Sequence, residues 1–334
     1  MGEQIAAFSD IQDREKPALA IVVPCFNESE VLERTAEVLA EKVRVLVGSG
    51  FISEKSRILF VDDGSRDDTW EKIVWLVSEE PESTVFSGIK FAHNRGHQNA
   101  VYAGLMEAYA SGYDCAVSMD ADLQDDPNAI DEMLREYKTG AEIVYGVRNN
   151  RDTDTAFKRG TAHAFYGLMS ALGTHTIPDH ADFRLMGRCA LAALGEYEES
   201  NLFLRGIVPD LGFTTAKVYY KRAERQAGQS KYPLGKMIGF ALEGITSFSV
   251  KPIRLIMVLG GVSFVLAVAA LIYTLVSLAQ GHAVAGWTSI MASIWLLGSA
   301  FLVSLGIIGE YIGKIYVEVK NRPRYIVEKR VGME

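Results

Sequence analysis

Two short acidic motifs carry the side chains best suited to chemistry in this 334-residue chain: Asp62-Asp63-Gly64-Ser65 and Asp120-Ala121-Asp122-Leu123-Gln124-Asp125-Asp126. Asp120 and Asp122 stand two apart after an apolar run, and on extended backbone residues i and i+2 point to the same side. Two carboxylates so placed repel each other unless a cation joins them. The pair therefore suits a hard divalent ion, Mg2+ or Mn2+, which prefers oxygen ligands and commonly bridges substrate phosphates. Gln124 continues the alternation and could add an amide oxygen. Asp125 and Asp126, just ahead of Pro127, suit the cap of a following helix instead. The histidines at 93, 97, 163, 175 and 180 show no metal-ligand spacing, and most are read as structural or exposed.

The elements that must position these residues follow from periodicity. Ala18–Pro24 is a β-branched run ending in the turn Pro24-Cys25-Phe26-Asn27-Glu28, and Ser29–Val47 has the three-and-four spacing of a helix. Arg57–Asp62, Val85–Phe91, Asp114–Met119 and Glu142–Gly146 read as further strands. Asp67–Ser78, Asn99–Tyr109 and Pro127–Lys138 read as the helices between them. This alternation predicts an α/β fold with a mostly parallel sheet covered on both faces. Ligands of such sheets bind beyond the C-terminal strand ends, where both acidic motifs fall. The stretch from Arg148 to Tyr232 is less regular and is expected to complete the cleft.

Composition narrows the class. A charged fraction of 23% beside a hydrophobic fraction of 49% excludes a disordered or fibrous chain, and a net charge of −8 argues against general nucleic-acid binding. The three cysteines are widely spaced and read as reduced core thiols. Near the C-terminus, Leu255–Ala279 and Trp287–Gly309 carry no charge, and each is long enough to cross a hydrocarbon layer about 30 Å thick. Two buried helices of a soluble core are the alternative, but adjacent charge-free spans of this length are rare in soluble proteins. The linker Gln280–Gly286 has no Lys or Arg. Lys251 and Arg254 precede the first span, and Lys314, Lys320, Arg322, Arg324, Lys329 and Arg330 follow the second. The positive-inside rule then puts the globular domain and both termini in the cytoplasm, on the inner face of the plasma membrane. The expected organisation is a flexible N-terminus over 1–17, a globular domain over 18–232 and an amphipathic interfacial helix over 233–250. Transmembrane helices over 255–279 and 287–312 follow, then a basic cytoplasmic tail over 313–334.

The ordered set Pro24-Cys25-Phe26-Asn27-Glu28, Asp62-Asp63-Gly64-Ser65, Asn94-Arg95-Gly96 and Asp120-Ala121-Asp122-Leu123-Gln124 resembles family 2 of the inverting glycosyltransferases. With Asp182-Phe183-Arg184-Leu185-Met186 and the two apolar spans, it resembles the polyprenyl-phosphate glycosyltransferases, among them the bactoprenol glucosyltransferases and dolichyl-phosphate mannose synthases. The resemblance implies a GT-A fold. It implies that Pro24, Phe26 and Glu28 hold the nucleotide base and ribose, and that Asp63 holds the uracil or ribose side of the donor. It gives the metal to Asp120, Asp122 and Gln124, and places Asp182 near the reacting centre. Arg148 and Arg159 match basic positions near the phosphates. Arg225, Ser230 and Lys231 match a loop that folds over the site. Asp182, Asp122 and Arg159 are thus the expected catalytic set. The expected partners are a nucleotide-sugar, a polyprenyl phosphate in the membrane and a second copy of the chain.

The expected reaction moves one hexose, glucose from UDP-glucose being favoured, onto undecaprenyl phosphate. The acceptor's second pKa is about 6, so its oxygen is already anionic at neutral pH and no strong base is required. Asp182 should then orient groups more than remove a proton. The chain lacks the Gln-x-x-Arg-Trp motif of processive synthases and has too few spans for a polymer channel, which favours single-sugar transfer. The rival readings are transfer to a glycolipid or polysaccharide hydroxyl, a GDP-mannose-dependent polyprenyl-phosphate mannose synthase, and a non-catalytic membrane scaffold.

Overall fold

The structure is a computed structural model. It describes residues 14–79, 85–148, 180–199, 202–221 and 286–333, with isolated positions between 253 and 280. Among these, 14–148, 180–221 and 323–333 belong to one compact unit and 286–322 to another.

The first unit is built on one eight-stranded sheet. Its centre is Leu19–Cys25 (β1), buried at every position. Parallel to it run Arg57–Asp62 (β2) on one side and Cys115–Ser118 (β4) on the other, with Phe86–Phe91 (β3) beyond β2. Such two-sided burial explains why β1 reads as an unbroken apolar run rather than an alternation. Full burial of a side chain such as Ile21 contributes roughly 2 kcal/mol.

The connections are helices Leu32–Gly48 (α1), Thr69–Glu79 (α2), His97–Ala110 (α3) and Ala129–Lys138 (α4). In α1 the buried positions are Leu32, Thr35, Ala36, Leu39, Ala40, Val43 and Leu46, the stripe of a helix lying on one sheet face. Buried residues of α1, α2 and α4 share a core with Leu19, Ile21 and Val23. The other face of β1 meets α3, which is rich in alanine. A methyl at Gly104 would collide with Val22 and Val61, so the bare backbone there sets how closely α3 seats.

Beyond Lys138 the chain is more regular than its sequence suggests. Ile143–Arg148 (β5) and Thr215–Tyr220 (β7) pair in parallel. His180–Gly187 (β6) inserts between β4 and β5, antiparallel to both. Helices Arg188–Gly195 (α5) and Leu204–Asp210 (α6) follow it. The sheet is therefore GT-A-like and mixed.

Both ends of the chain depart from expectation. The N-terminal segment read as flexible over 1–17 is fastened from residue 14 onward. Arg14 donates to the carbonyls of Tyr137 and Ala141 and pairs with Glu142 at 2.5 Å. Glu142 in turn accepts the backbone N–H of Cys189 at 2.9 Å, at the start of α5. The segment read as a tail over 313–334 is not one. Val327–Val331 (β8) forms the sheet's edge, antiparallel to β3. Tyr325 stacks on Phe91, Arg324 lies over the Tyr102 ring, and Ala92 donates to the carbonyl of Ile326 at 3.0 Å. Val327 and Val331 bracket three charged residues, and this composition is enough for an edge strand, whose outer side meets water.

In the second unit, Trp287–Val319 (α7) is one helix of 33 residues, longer than the expected 287–312. It stops where Asn321 takes a left-handed φ of 41°, two residues before Pro323. Its segment Ala300–Val319 is long and apolar enough to cross a membrane, with none of it buried. The expected amphipathic helix over 233–250 lies outside the described residues, and the first span over 255–279 lies almost entirely outside them.

Candidate active site

The cleft begins where β4 stops short of β1. The ladder ends at Val22 and Ser118, with one further bond from the Met119 N–H to the Val22 carbonyl at 3.0 Å. Backbone groups of alternate residues face the same side, so Pro24, two beyond Val22, turns its missing donor toward the space β4 has vacated. Cys25 faces the other way, and its carbonyl accepts the Asp63 N–H at 2.9 Å. Pro24 is thus the penultimate residue of β1 rather than the first of a turn. The turn itself is Phe26-Asn27-Glu28, with Phe26 exposed and Asn27 at φ 55°. It is laced to the loop after β2. Asn27 N–H donates to Ser65 Oγ at 2.9 Å, Arg66 N–H to Asn27 Oδ1 at 2.9 Å and Glu28 N–H to Thr69 Oγ1 at 3.0 Å.

The first acidic motif is buried. Asp62 Oδ1 accepts the Ser65 N–H at 3.0 Å, and its other oxygen lies 3.9 Å from Lys90 Nζ. Burial raises its pKa, against the opposing pull of Ser65 and Lys90. Both Asp63 oxygens accept backbone amides of the next turn, Arg95 at 2.6 Å and Gly96 at 2.8 Å. Asp63 therefore bolts the β3–α3 turn to the end of β2. Gly64 makes this possible: at φ 68°, a Cβ there would lie 2.7 Å from Asn94 N.

The second acidic motif differs from its sequence reading. β4 ends at Ser118, and Asp120–Asp122 lie in a turn with Leu123 at φ 52°. Strand alternation therefore does not align Asp120, Asp122 and Gln124. The turn is shaped by Gln124 N–H donating to Asp122 Oδ1 at 3.1 Å and by Thr35 Oγ1 donating to the Ala121 carbonyl at 2.6 Å. Asp126 does not cap α4, whose N-cap is Asn128 without a side-chain bond; it shapes the turn ahead of the helix by accepting the Asn128 N–H at 2.9 Å. Asp125 does not cap. It is buried and accepts Tyr220 Oη at 2.5 Å and Arg148 Nη2 at 3.3 Å. Arg148 is thereby braced rather than loose.

Asp182, on β6, is the most constrained carboxylate. Its Oδ1 accepts Arg184 Nη2 at 2.8 Å and Arg205 Nε at 3.2 Å, and its Oδ2 accepts Arg205 Nη2 at 3.1 Å and Gln98 Nε2 at 3.4 Å. His97 Nε2 lies 3.6 Å from both Asp182 Oδ2 and Asp120 Oδ1. Burial alone would raise the pKa of Asp182, but His97, Arg184 and Arg205 hold it well below the usual carboxylate range. Asp120 is pushed the other way, by burial and then by Asp125, Asp182 and Asp122, with His97 opposing. Burial would lower the pKa of His97, and Asp182 and Asp120 outweigh it to raise it.

Among the described residues, no group of three His, Cys, Asp or Glu side chains is arranged to hold a metal by itself. The donor set still fits a divalent ion. Three carboxylates, those of Asp125, Asp182 and Asp122, act on Asp120, and a divalent ion held there would take its remaining oxygens from water and substrate phosphate. Arg159, Arg225, Ser230 and Lys231 lie outside the described residues. His97, Gln98, Arg184 and Arg205 were not singled out from the sequence. His97 directly follows the Asn94-Arg95-Gly96 motif, and Arg184 lies within the Asp182 motif at i+2 on a strand, so both carried a local signal. Arg205 carried none.

Residues 20–195 match the family model described as glycosyl transferase family 2, and residues 251–315 match the GtrB C-terminal hairpin. The chain belongs to the family 2 glycosyltransferases. It is 52% identical to the uncharacterized glycosyltransferase YkoT of Bacillus subtilis, over 94% of this chain and 92% of that one. It is 38% identical to the SfII prophage-derived bactoprenol glucosyl transferase of Shigella flexneri, over 93% of this chain and 97% of that one. A solved structure, the mannosyltransferase PcManGT from Pyrobaculum calidifontis in complex with GDP-Man and Mn2+, is matched over 93% of this chain and 88% of its own, at 16% identity and a TM-score of 0.43.

Proposed function

We propose that this chain transfers a single hexose, glucose from UDP-glucose in the favoured case, onto a polyprenyl phosphate at the cytoplasmic face of a membrane. The observation that carries the reading is the state of Asp182. A carboxylate gripped by two arginines and a histidine stays ionised and is a poor proton acceptor. A hydroxyl acceptor needs a base, whereas a phosphate monoester is already a nucleophile near neutral pH. The resemblance to enzymes named for bactoprenol supports the same acceptor class.

In this reading Asp120 and Asp122, with Gln124, hold Mg2+ or Mn2+. When bound, the ion supplies positive charge to the departing diphosphate. The turn Phe26-Asn27-Glu28, braced by Ser65, Arg66 and Thr69, receives the base and ribose, with Pro24 opening the cleft beneath it. Asp63 keeps the Arg95-Gly96 turn in register beside them. Arg148 and Arg159 serve the phosphates, and Arg225, Ser230 and Lys231 close over the donor. The spans 255–279 and 287–312 anchor the chain in the membrane that carries the lipid acceptor, and assembly into a homo-oligomer enlarges their small packing surface.

The test is transfer of radiolabelled sugar from a panel of UDP- and GDP-sugars to undecaprenyl phosphate by the purified full chain in detergent, with and without EDTA. A chloroform-soluble, mild-acid-labile product from one donor, lost with EDTA, is the expected result. Metal-dependent nucleotide binding with no lipid product from any donor would overturn the reading in favour of a hydroxyl acceptor.

A further inference from the structure

The turn from Asp120 to Asp125 holds a shape it would not keep alone. Leu123 stands at φ 52°, in the left-handed region, which a non-glycine residue occupies only where its surroundings over-determine it. At its start the turn is pinned to β1 by the Met119 N–H on the Val22 carbonyl, and to α1 by Thr35 Oγ1 on the Ala121 carbonyl. At its far end the hold is the side chain of Asp125, which is 1% exposed.

That hold is a closed ring of three groups. Tyr220 Oη donates to Asp125 Oδ1 at 2.5 Å, Arg148 Nη2 donates to the same oxygen at 3.3 Å, and Arg148 Nε donates to Tyr220 Oη at 3.3 Å. Arg148 and Tyr220 are the last residues of β5 and β7 and lie opposite each other in the ladder. The tyrosine makes the short bond, and its ring is itself fixed. It stands edge-on to Phe183, with centroids 5.3 Å apart and planes at 87°. Phe183 is seated in turn against Gly146 of β5, where a Cβ would lie 2.8 Å from Phe183 Cδ1. Phe183 follows Asp182 on β6. One tyrosine thus ties the acidic turn to the strands that carry Arg148 and Asp182.

Asp125 also acts on Asp120 through its charge. After burial, it is the first of the three carboxylates that push the Asp120 carboxyl up. A negative group that opposes ionisation of its neighbour favours a cation bound there. We propose that Tyr220 is a positioning residue for the metal turn: by holding Asp125, it keeps Asp120 and Asp122 in the arrangement that a divalent ion requires. This inference rests on the reading that Asp120 and Asp122 hold the metal, and adds to it a residue about 95 positions away in the chain that touches neither.

The experiment titrates Mn2+ into the full chain in detergent, with whichever of UDP and GDP the wild type binds, and follows the electron paramagnetic resonance signal of free Mn2+. Tyr220→Phe keeps the ring against Phe183 and removes only the hydroxyl. It should raise the Kd for Mn2+ roughly 10-fold, with nucleotide affinity in the absence of metal within about twofold of wild type. Val218→Ala removes buried packing from the same strand but no bond to Asp125, and its Kd for Mn2+ should stay at the wild-type value. A Kd for Mn2+ unchanged in Tyr220→Phe, or raised equally in Val218→Ala, would make Tyr220 a support of the sheet alone and overturn the assignment, leaving the metal reading intact. A wild-type protein that binds no Mn2+ with either nucleotide would overturn the metal reading and this inference with it.

Discussion

Tyr325 lies flat against Phe91, ring centroids 5.0 Å apart and planes 11° from parallel. Phe91 is the last residue of β3, and the turn that follows it carries the Arg95 and Gly96 amides held by Asp63, then His97. Tyr325→Ala should therefore lower stability by roughly 1–3 kcal/mol and weaken donor binding through the loosened turn. Thermal unfolding and nucleotide titration of the full chain check this. Unchanged donor affinity in a destabilised variant would separate the strand from the turn.

Asp182 sets a pH expectation. Its folded pKa lies well below that of an unfolded aspartate, about 3.9, so its stabilising effect is complete above that value and is lost as pH falls through the depressed pKa. Asp182→Asn, which leaves buried Arg184 without its counter-charge, should cost roughly 3–5 kcal/mol, equally at every pH from about 5 to 9. The loss of rate should be equally flat across neutral pH. A rate deficit confined to one limb of the pH profile would restore Asp182 as a base.

Arg14 tests the N-terminal fastening. It joins the Tyr137 and Ala141 carbonyls to Glu142, with side-chain exposures of 17% and 6% for the ion pair. Arg14→Ala leaves Glu142 largely buried beside the first amides of α5 and should destabilise by roughly 3 kcal/mol. Denaturant unfolding with an unchanged m-value would show this. A midpoint equal to wild type would show that the contact contributes nothing.

Gly64→Ala should be the most damaging small substitution near the cleft. It places a Cβ on a residue at φ 68° and 2.7 Å from Asn94 N, so the Asp63–Gly96 turn must shift. A loss of about 2–4 kcal/mol is expected, with donor affinity falling in parallel. Calorimetry of nucleotide binding would detect it.

The parallel half of the sheet was legible because its strands are buried apolar runs separated by helical periods, and β2 falls on the expected residues, Arg57–Asp62. The antiparallel strands were not. β6 carries Asp182 and Arg184 at inward positions, so its pattern looks like a polar motif rather than a strand, and β8 is a half-charged edge. The rule that i and i+2 share a side was applied to Asp120 and Asp122, which lie in a turn, and belongs instead to Asp182 and Arg184. The acidic half of the site could be read because carboxylates cluster in sequence. Its cationic half was harder to read: His97 and Arg184 sit in or beside quoted motifs, but Arg205 has no local signal and meets them only after the chain has folded across three elements.

The place of β8 in the sheet also has a consequence for biosynthesis. Val327–Val331 leaves the ribosome after both apolar segments, yet it lies beside β3, made some 240 residues earlier. Until then the N-terminal unit has an open edge at β3 and an unsupported turn before His97. The sheet must wait, incomplete, while the hydrophobic segments are made, and its β3 edge is covered only by a stretch that follows them.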